Sequence, residues 1–192
     1  IADNIDMLSN NGSVEQDSTN NDGLITANVK VTAKNNINIE NANNVFSKLN
    51  INGKNGSVIG DVKVKSKADS GFNINGSDLV VYGNVSIENL GQNNADINLN
   101  KDKLDVIKTS DLDGNVTIST VKGKVNNNTK IVTDKNITII GVNGIENKKL
   151  LQSNLGDVLL NVNKGNIKNI TDVVAGNNLT FTTDIGDIES AG

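Results

Sequence analysis

Asp157 and Asp187 each follow a glycine in a repeated phrase, and Asp111 and Asp113 flank a further turn. Grouped carboxylates of this kind could hold Ca²⁺ or transfer protons. Asp after Gly is also ordinary turn chemistry, and that reading is preferred here. The Gly-Gly-x-Gly-x-Asp nonapeptide of calcium-binding β-rolls is absent. Lys101, Asp102 and Lys103 read as a solvated loop, and Tyr82, the one tyrosine, reads as part of a strand surface rather than a platform for a sugar ring.

Nine Asn-x-Ser/Thr sequons occur, at Asn11, Asn55, Asn75, Asn84, Asn115, Asn127, Asn136, Asn169 and Asn178. They could accept glycans on a surface protein. An Asn-rich chain with Thr in its strands also produces them automatically, which is the reading adopted. Thr117, Thr138 and Thr180 fall in one column, but Leu159 interrupts it and no adjacent column is rich in Thr, so a flat ice-binding array is not expected. No residue is assigned a catalytic, cofactor-binding or metal-ligating role, and the chain is read as non-enzymatic with no cofactor.

Composition narrows the chemistry further. The 192 residues include no Cys, His, Pro, Trp or Arg, and only three Phe, while Asn makes up roughly a fifth. Lacking Cys and His, the chain has none of the usual ligand sets for zinc, haem or iron–sulfur clusters. The net charge of -4 comes from 22 acidic residues against 18 lysines scattered along the chain. Scattered lysines without Arg give neither the dense basic face nor the bidentate base contacts that nucleic-acid binding uses. No apolar run approaches the ~18 residues of a spanning helix. The abrupt ends suggest an excised piece of a larger product, so missing targeting signals are uninformative.

What must position these residues is a repeat. Val116, Ile137, Val158 and Leu179 are 21 residues apart, and Ile118, Ile139, Leu160 and Phe181 keep the alternation two positions later. Gly123, Gly144, Gly165 and Gly186 form a second column with the same spacing. A fixed period near 20 residues marks a solenoid, whose units bury apolar faces only against their neighbours. Each unit shows period-two alternation of Val, Ile and Thr bounded by Gly, Asn and Asp, with strands expected at about 116–120, 124–126 and 130–132. The fold class is therefore all-β, a right-handed parallel β-helix of roughly eight rungs with three short strands per rung.

Upstream, Ile37, Val62 and Val85 continue the column with rungs of about 25, 23 and 31 residues. The whole chain, 1–192, is one segment: 1–34 irregular, 35–113 with longer loops, and 114–190 regular. Small aliphatics stack well in such a coil and bulky aromatics fit poorly, while Asn suits the corners and absent Pro leaves every strand N–H free to donate. No capping segment is visible, so open sheet edges are expected at both ends.

The phrases GNVTI, KNITI, GDVLL…KGNI and NNLTF…GDI resemble the repeat region of filamentous-haemagglutinin-like adhesins, the large exoproteins of two-partner secretion systems. The likeness covers 114–190 well and 35–113 loosely, and passengers of classical autotransporters (type V secretion in both cases) look similar. The resemblance implies export through an outer-membrane transporter to the bacterial cell surface or beyond. It also implies a virulence-type role in adhesion to a host-cell or bacterial surface receptor, glycan or protein. Binding would then fall on the long loops around 40–44, 88–96 and 100–105. Two alternatives stay open: a carbohydrate-active β-helix of the polysaccharide-lyase or tailspike kind, and a glycosylated surface-layer component.

Overall fold

A strand that alternates apolar and polar residues can bury one face only by stacking on a copy of itself in register. The computed structural model describes residues 2–19, 21–76, 79–99, 106–109 and 114–191, and among them the chain is all-β with no helix. The strands form three parallel sheets, here called A, B and C, of nine, eight and six strands. A complete turn runs from sheet B to A to C: Val116–Thr120, Lys124–Asn127, Lys130–Thr133, then back to sheet B at Ile137–Gly141. The architecture is a parallel β-solenoid of about eight turns, ~35–40 Å long at ~4.8 Å per turn.

Sheet B follows the expected column without a slip. Val116 is level with Ile137, Ile137 with Val158, and Val158 with Leu179. Upstream the register continues through Val85, Val62, Ile37 and Val14, so the unequal turn lengths are correct and the extra residues lie in loops. Inside, Ile37, Val62, Val85, Val116, Ile137 and Val158 form one buried column, and Ile39, Val64, Ile87, Ile118, Ile139 and Leu160 another.

Three expectations are corrected. First, the glycine column is in structural register only between Gly165 and Gly186. Gly144 is level with Lys124, not Gly123, and Ile145 is level with Ile167, which sets Gly144 one residue off Gly165 as well. A one-residue slip inside a strand would turn its apolar side chains outward. The corner between sheets B and A absorbs it instead, and Val125, Ile145 and Ile167 all stay buried. Gly123 has no left-handed backbone, whereas Gly144, Gly165 and Gly186 do, at φ of 138°, 122° and 145°.

Second, residues 1–34 are not irregular. They contribute strands Ala2–Ser9, Val14–Glu15 and Ile25–Ala33, while residues 16–19 and 21–24 lie outside any strand. The strand Ile25–Ala33 alternates cleanly over its second half, with Val29, Val31 and Ala33 buried. Sheet C starts only at Ser57–Val58, so the first turns have two strands, and those of sheet A reach nine residues.

Third, bulky aromatics do fit, and two of the three Phe are fully buried in the core. Phe46 and Phe72 are buried against each other edge to face, ring centres 5.2 Å apart, where the nine-residue strands of sheet A give way to shorter ones. In the last described turn Phe181 is only partly buried, and Leu179, Ile185 and Ile188 are 49 %, 66 % and 45 % exposed.

Gly165 tests the stacking. A Cβ there would lie 2.4 Å from the Asn143 carbonyl oxygen, at a φ that L-residues rarely adopt. Gly165→Ala should therefore destabilise the rod by about 1–3 kcal/mol, while Gly56→Ala, with open space but φ +83°, costs less. Urea midpoints of the two variants check the order.

Candidate functional site

Where a chain enters a strand from a corner, one backbone N–H lies outside the sheet's own ladder and needs another acceptor. Here the residue just before each sheet B strand supplies it to the next turn. Asn36 donates its N–H to Ser13 Oγ (3.2 Å), Asp61 to Asn36 Oδ1 (3.0 Å) and Asn84 to Asp61 Oδ1 (2.9 Å). Asn115 donates to Asn84 Oδ1 (3.0 Å), Asn136 to Asn115 Oδ1 (3.2 Å), Asp157 to Asn136 Oδ1 (2.8 Å) and Asn178 to Asp157 Oδ1 (2.9 Å). The same residues' carbonyls accept from the turn before, as with Val116 N–H to Asn136 O and Val158 N–H to Asn178 O, both 2.9 Å. This ladder runs the full length of sheet B. Its signal in the sequence is an Asn, Asp or Ser immediately before each apolar residue that opens a sheet B strand.

Asp157 thus works as a turn residue. Its carboxylate accepts from the Asn178 backbone, Asn178 Nδ2 (3.0 Å) and Asn177 Nδ2 (2.8 Å). The Asn178 backbone N–H, foremost, holds its pKa below the ordinary value of 3.8. At Asp61 burial pushes the pKa up, but hydrogen bonds from Asn84 and Lys63 outweigh it and the net direction is down. Asp187 donates its N–H to Asn166 Oδ1 (3.0 Å), a corner contact on another edge. The structure therefore separates Asp157 from Asp187, and among the described residues no group of three or more acidic side chains is placed to hold a metal. Asp111, Asp113, Lys101, Asp102, Lys103 and the loop 100–105 lie outside the described residues.

A second, buried ladder stands at the corner between sheets A and C. Asn127 Nδ2 donates to Asn147 Oδ1 (2.7 Å), Asn147 Nδ2 to Asn169 Oδ1 (2.7 Å), and Asn169 Nδ2 to Ser190 Oγ (3.2 Å). All three Asn are essentially inaccessible. The two ladders account for most of the sequons. Asn84, Asn115, Asn136 and Asn178 belong to the first and Asn127 and Asn169 to the second, while Asn75 is buried. Asn11 and Asn55 are exposed in turns.

The loops also resolve into parts. Residues 40–44 form a clasp: Asn44 and Gln16 exchange two amide hydrogen bonds of 2.8 Å, Asn44 Oδ1 takes the Leu24 N–H at 2.7 Å, and Asn43 Nδ2 reaches the Asn21 carbonyl at 2.9 Å. They tie down the segment before Ile25. Of residues 88–96, Glu88 and Asn89 finish a strand, and Asn89 Oδ1 holds Gly91 at 3.1 Å. Gln92, Asn93 and Asn94 project into solvent. Tyr82 follows the strand Leu79–Val81 on the surface, 45 % exposed, and Ile59, after the level strand Ser57–Val58, is 53 % exposed. The column of Thr117, Thr138 and Thr180 is in register and Leu159 does interrupt it.

The outer face of sheet A carries the surface relief. One shallow depression is bordered by Asn4, Asp6, Asn28, Lys30, Lys48 and Asn50, another by Lys124, Asn126, Gly144, Glu146, Asn166 and Lys168. Asn28 is level with Lys48, Lys48 with Asn73, Asn73 with Asn98, and Asn98 with Asn126. The row therefore offers carboxamides, which both donate and accept, at Asn28, Asn73, Asn98 and Asn126, with Lys48 between the first two. Asn126 Nδ2 donates to Asn98 Oδ1 (2.7 Å), and Lys30 is paired with Asp6 at 3.1 Å. Such a face can hydrogen-bond hydroxyls or peptide groups.

No protein-family model, no curated protein and no solved structure matches the chain. The class that the fold defines is a parallel β-solenoid, and it is the geometry of this chain alone that carries the functional argument.

Two outcomes follow. Asn147→Leu leaves the Asn127 amide and the Asn169 carbonyl oxygen buried without each other's bridge and should cost about 2–5 kcal/mol. Changing Asn127, Asn147 and Asn169 together to Leu should recover little of it, because Asn127 Oδ1 also takes the Thr129 N–H (3.0 Å) and Asn169 Nδ2 also reaches the Thr171 carbonyl (2.6 Å). Denaturant titration of single and triple variants reads this. For pH, Asp61 and Asp157 have folded pKa values below the unfolded one, so the stability they add is present above the ordinary carboxylate value of 3.8 and is lost as pH falls through the lowered folded values. Changing both to Asn keeps the acceptor oxygens and should flatten the acid limb of a melting-temperature profile. An unchanged limb would show that other carboxylates set it.

Proposed function

We propose that the chain is a structural and adhesive segment of a large secreted bacterial surface protein, a shaft that holds binding loops or a distal domain away from the cell. The observation that carries this reading is the unbroken Asx ladder from Ser13 to Asn178, which locks every turn to the next by the same contact. A rod built that way is stiff along its length and adds turns one at a time, which suits folding after passage through an outer-membrane transporter without disulfides or ATP. The absence of Cys is compatible with transit through an oxidising periplasm. The exposed Gln92–Asn94 segment and the carboxamide row on sheet A are the surfaces that would meet a cell-surface receptor, and hydrogen-bonding amides suit glycan or polypeptide partners.

The test uses the chain joined to the secretion domain of a two-partner exoprotein and co-produced with its transporter. Release of a protease-resistant rod is expected, and beads coated with it should adhere to epithelial or bacterial cells above albumin-coated beads. Retention in the cell, or adhesion equal to albumin, would count against the proposal. Release of reducing ends from surface polysaccharides would replace it with the carbohydrate-active reading.

A further inference from the structure

Five Asn–Gly pairs occur in the chain, at Asn11, Asn52, Asn55, Asn75 and Asn143. Asn followed by Gly has a chemistry of its own, because an unhindered glycine amide nitrogen can attack the preceding carboxamide carbon. A bond forms from Gly N to Asn Cγ, the Cγ–Nδ2 bond breaks, and Nδ2 departs as ammonia. Water then opens the resulting succinimide at one of its two carbonyls, leaving either an aspartyl or an isoaspartyl linkage. Folded structure prevents the reaction wherever the asparagine and the glycine nitrogen are fixed, so the rate at each site follows how much structure must open first.

Four of the five pairs are held. Asn52 and Gly53 lie within the strand Val45–Gly53, and Gly53 is enclosed by the Ser57 backbone. Asn75 is 3 % exposed, and Gly76 closes on the Ile51 carbonyl of the neighbouring turn. Asn143 donates Nδ2 to the Lys122 carbonyl at 2.6 Å and its backbone N–H to Gly123 at 2.9 Å. Asn11 is exposed, but the Gly12 N–H goes to Ser9 Oγ at 3.2 Å, and the Gly12 carbonyl takes two N–H groups from the next turn, Lys34 and Asn35.

The remaining pair is different. Lys54 and Ser57 form an antiparallel bridge around Asn55 and Gly56, whose φ values of 56° and 83° are the type I′ pattern of a two-residue hairpin. Asn55 is exposed, and nothing lies within 4 Å of a Cβ placed on Gly56. The turn's own bonds are local, Gly56 N–H to Gly53 O at 3.1 Å and Ser57 N–H to Lys54 O at 3.3 Å, with one 3.3 Å bond from Val80 to the Gly56 carbonyl. Opening it disturbs no core column.

We propose that Asn55–Gly56 is a self-modification site, at which the folded rod converts to aspartyl and isoaspartyl forms with water as the only co-reactant. The product adds a negative charge beside Lys54. In its isoaspartyl form it also lengthens by one atom the turn that leads into Ser57–Val58, the first strand of sheet C. The mark therefore ages the rod where its cross-section changes from two strands per turn to three.

Cleavage after lysine puts each of the five pairs in a separate peptide, with Asn55 in the peptide 55–63. The folded chain, held in mildly alkaline buffer and sampled by mass spectrometry with isoaspartyl methylation, should convert at Asn55 at least about tenfold faster than at Asn52, Asn75 and Asn143. In concentrated urea the five rates should converge, and Asn55→Gln should remove most of the isoaspartyl signal of the folded protein. Conversion at Asn55 as slow as at the strand positions, conversion led by Asn11, or a signal unchanged in Asn55→Gln would each overturn the proposal.

Discussion

The rod depends on one contact, the hydrogen bond from the backbone N–H at a strand entrance to the side-chain oxygen of its equivalent one turn earlier. Parallel strands satisfy one another along their length, but a corner residue has an amide that the sheet cannot reach. Asn, Asp and Ser each place an acceptor oxygen at the distance needed, which is why the column from Ser13 to Asn178 mixes the three types without losing geometry. Only the acceptor matters, so charge at this position is optional.

Interior chemistry follows from the same stacking. A buried polar group in such a column needs a partner in the turn above or below, so polar equivalents stack in consecutive turns. Where the corner between sheets A and C is polar it stays polar through Asn127, Asn147, Asn169 and Ser190. In the earlier turns the same column is apolar, at Leu49, Ile74 and Leu99, and it changes to polar where Leu99 is level with Asn127. Asparagine is abundant because a solenoid reuses its corners on every turn, and many of the residues that look like modification signals are held in ladders. The exposed segments that do not repeat are the projecting loop after Asn89 and the hairpin at Asn55.

Turn lengths, strand positions in 114–190 and the apolar columns of sheet B were legible in the sequence, since alternation with a fixed period has few other physical solutions. The glycine column was not. Gly123, Gly144 and Gly165 keep their spacing in the chain yet lose register in space, and only Gly165 and Gly186 are level, because a corner can take up one residue that a strand cannot. Residues 2–33 were missed for a related reason. With long strands and no third sheet their repeat differs from the later one, and only pairing of Ala2–Ser9 with Ile25–Ala33 reveals it. The segment 40–44 looked like a free loop, and the Gln16–Asn44 amide pair across 28 residues makes it a clasp.

By itself, then, the sequence determined the all-β solenoid, its number of turns and its inside and outside faces, because period-two alternation repeated every 21 residues dictates which side chains must stack. Tertiary structure alone decided which asparagines are scaffold and which are surface. One residue type serves as corner acceptor, buried ladder, outer row and open hairpin, and the difference lies in what the turns above and below present to its amide.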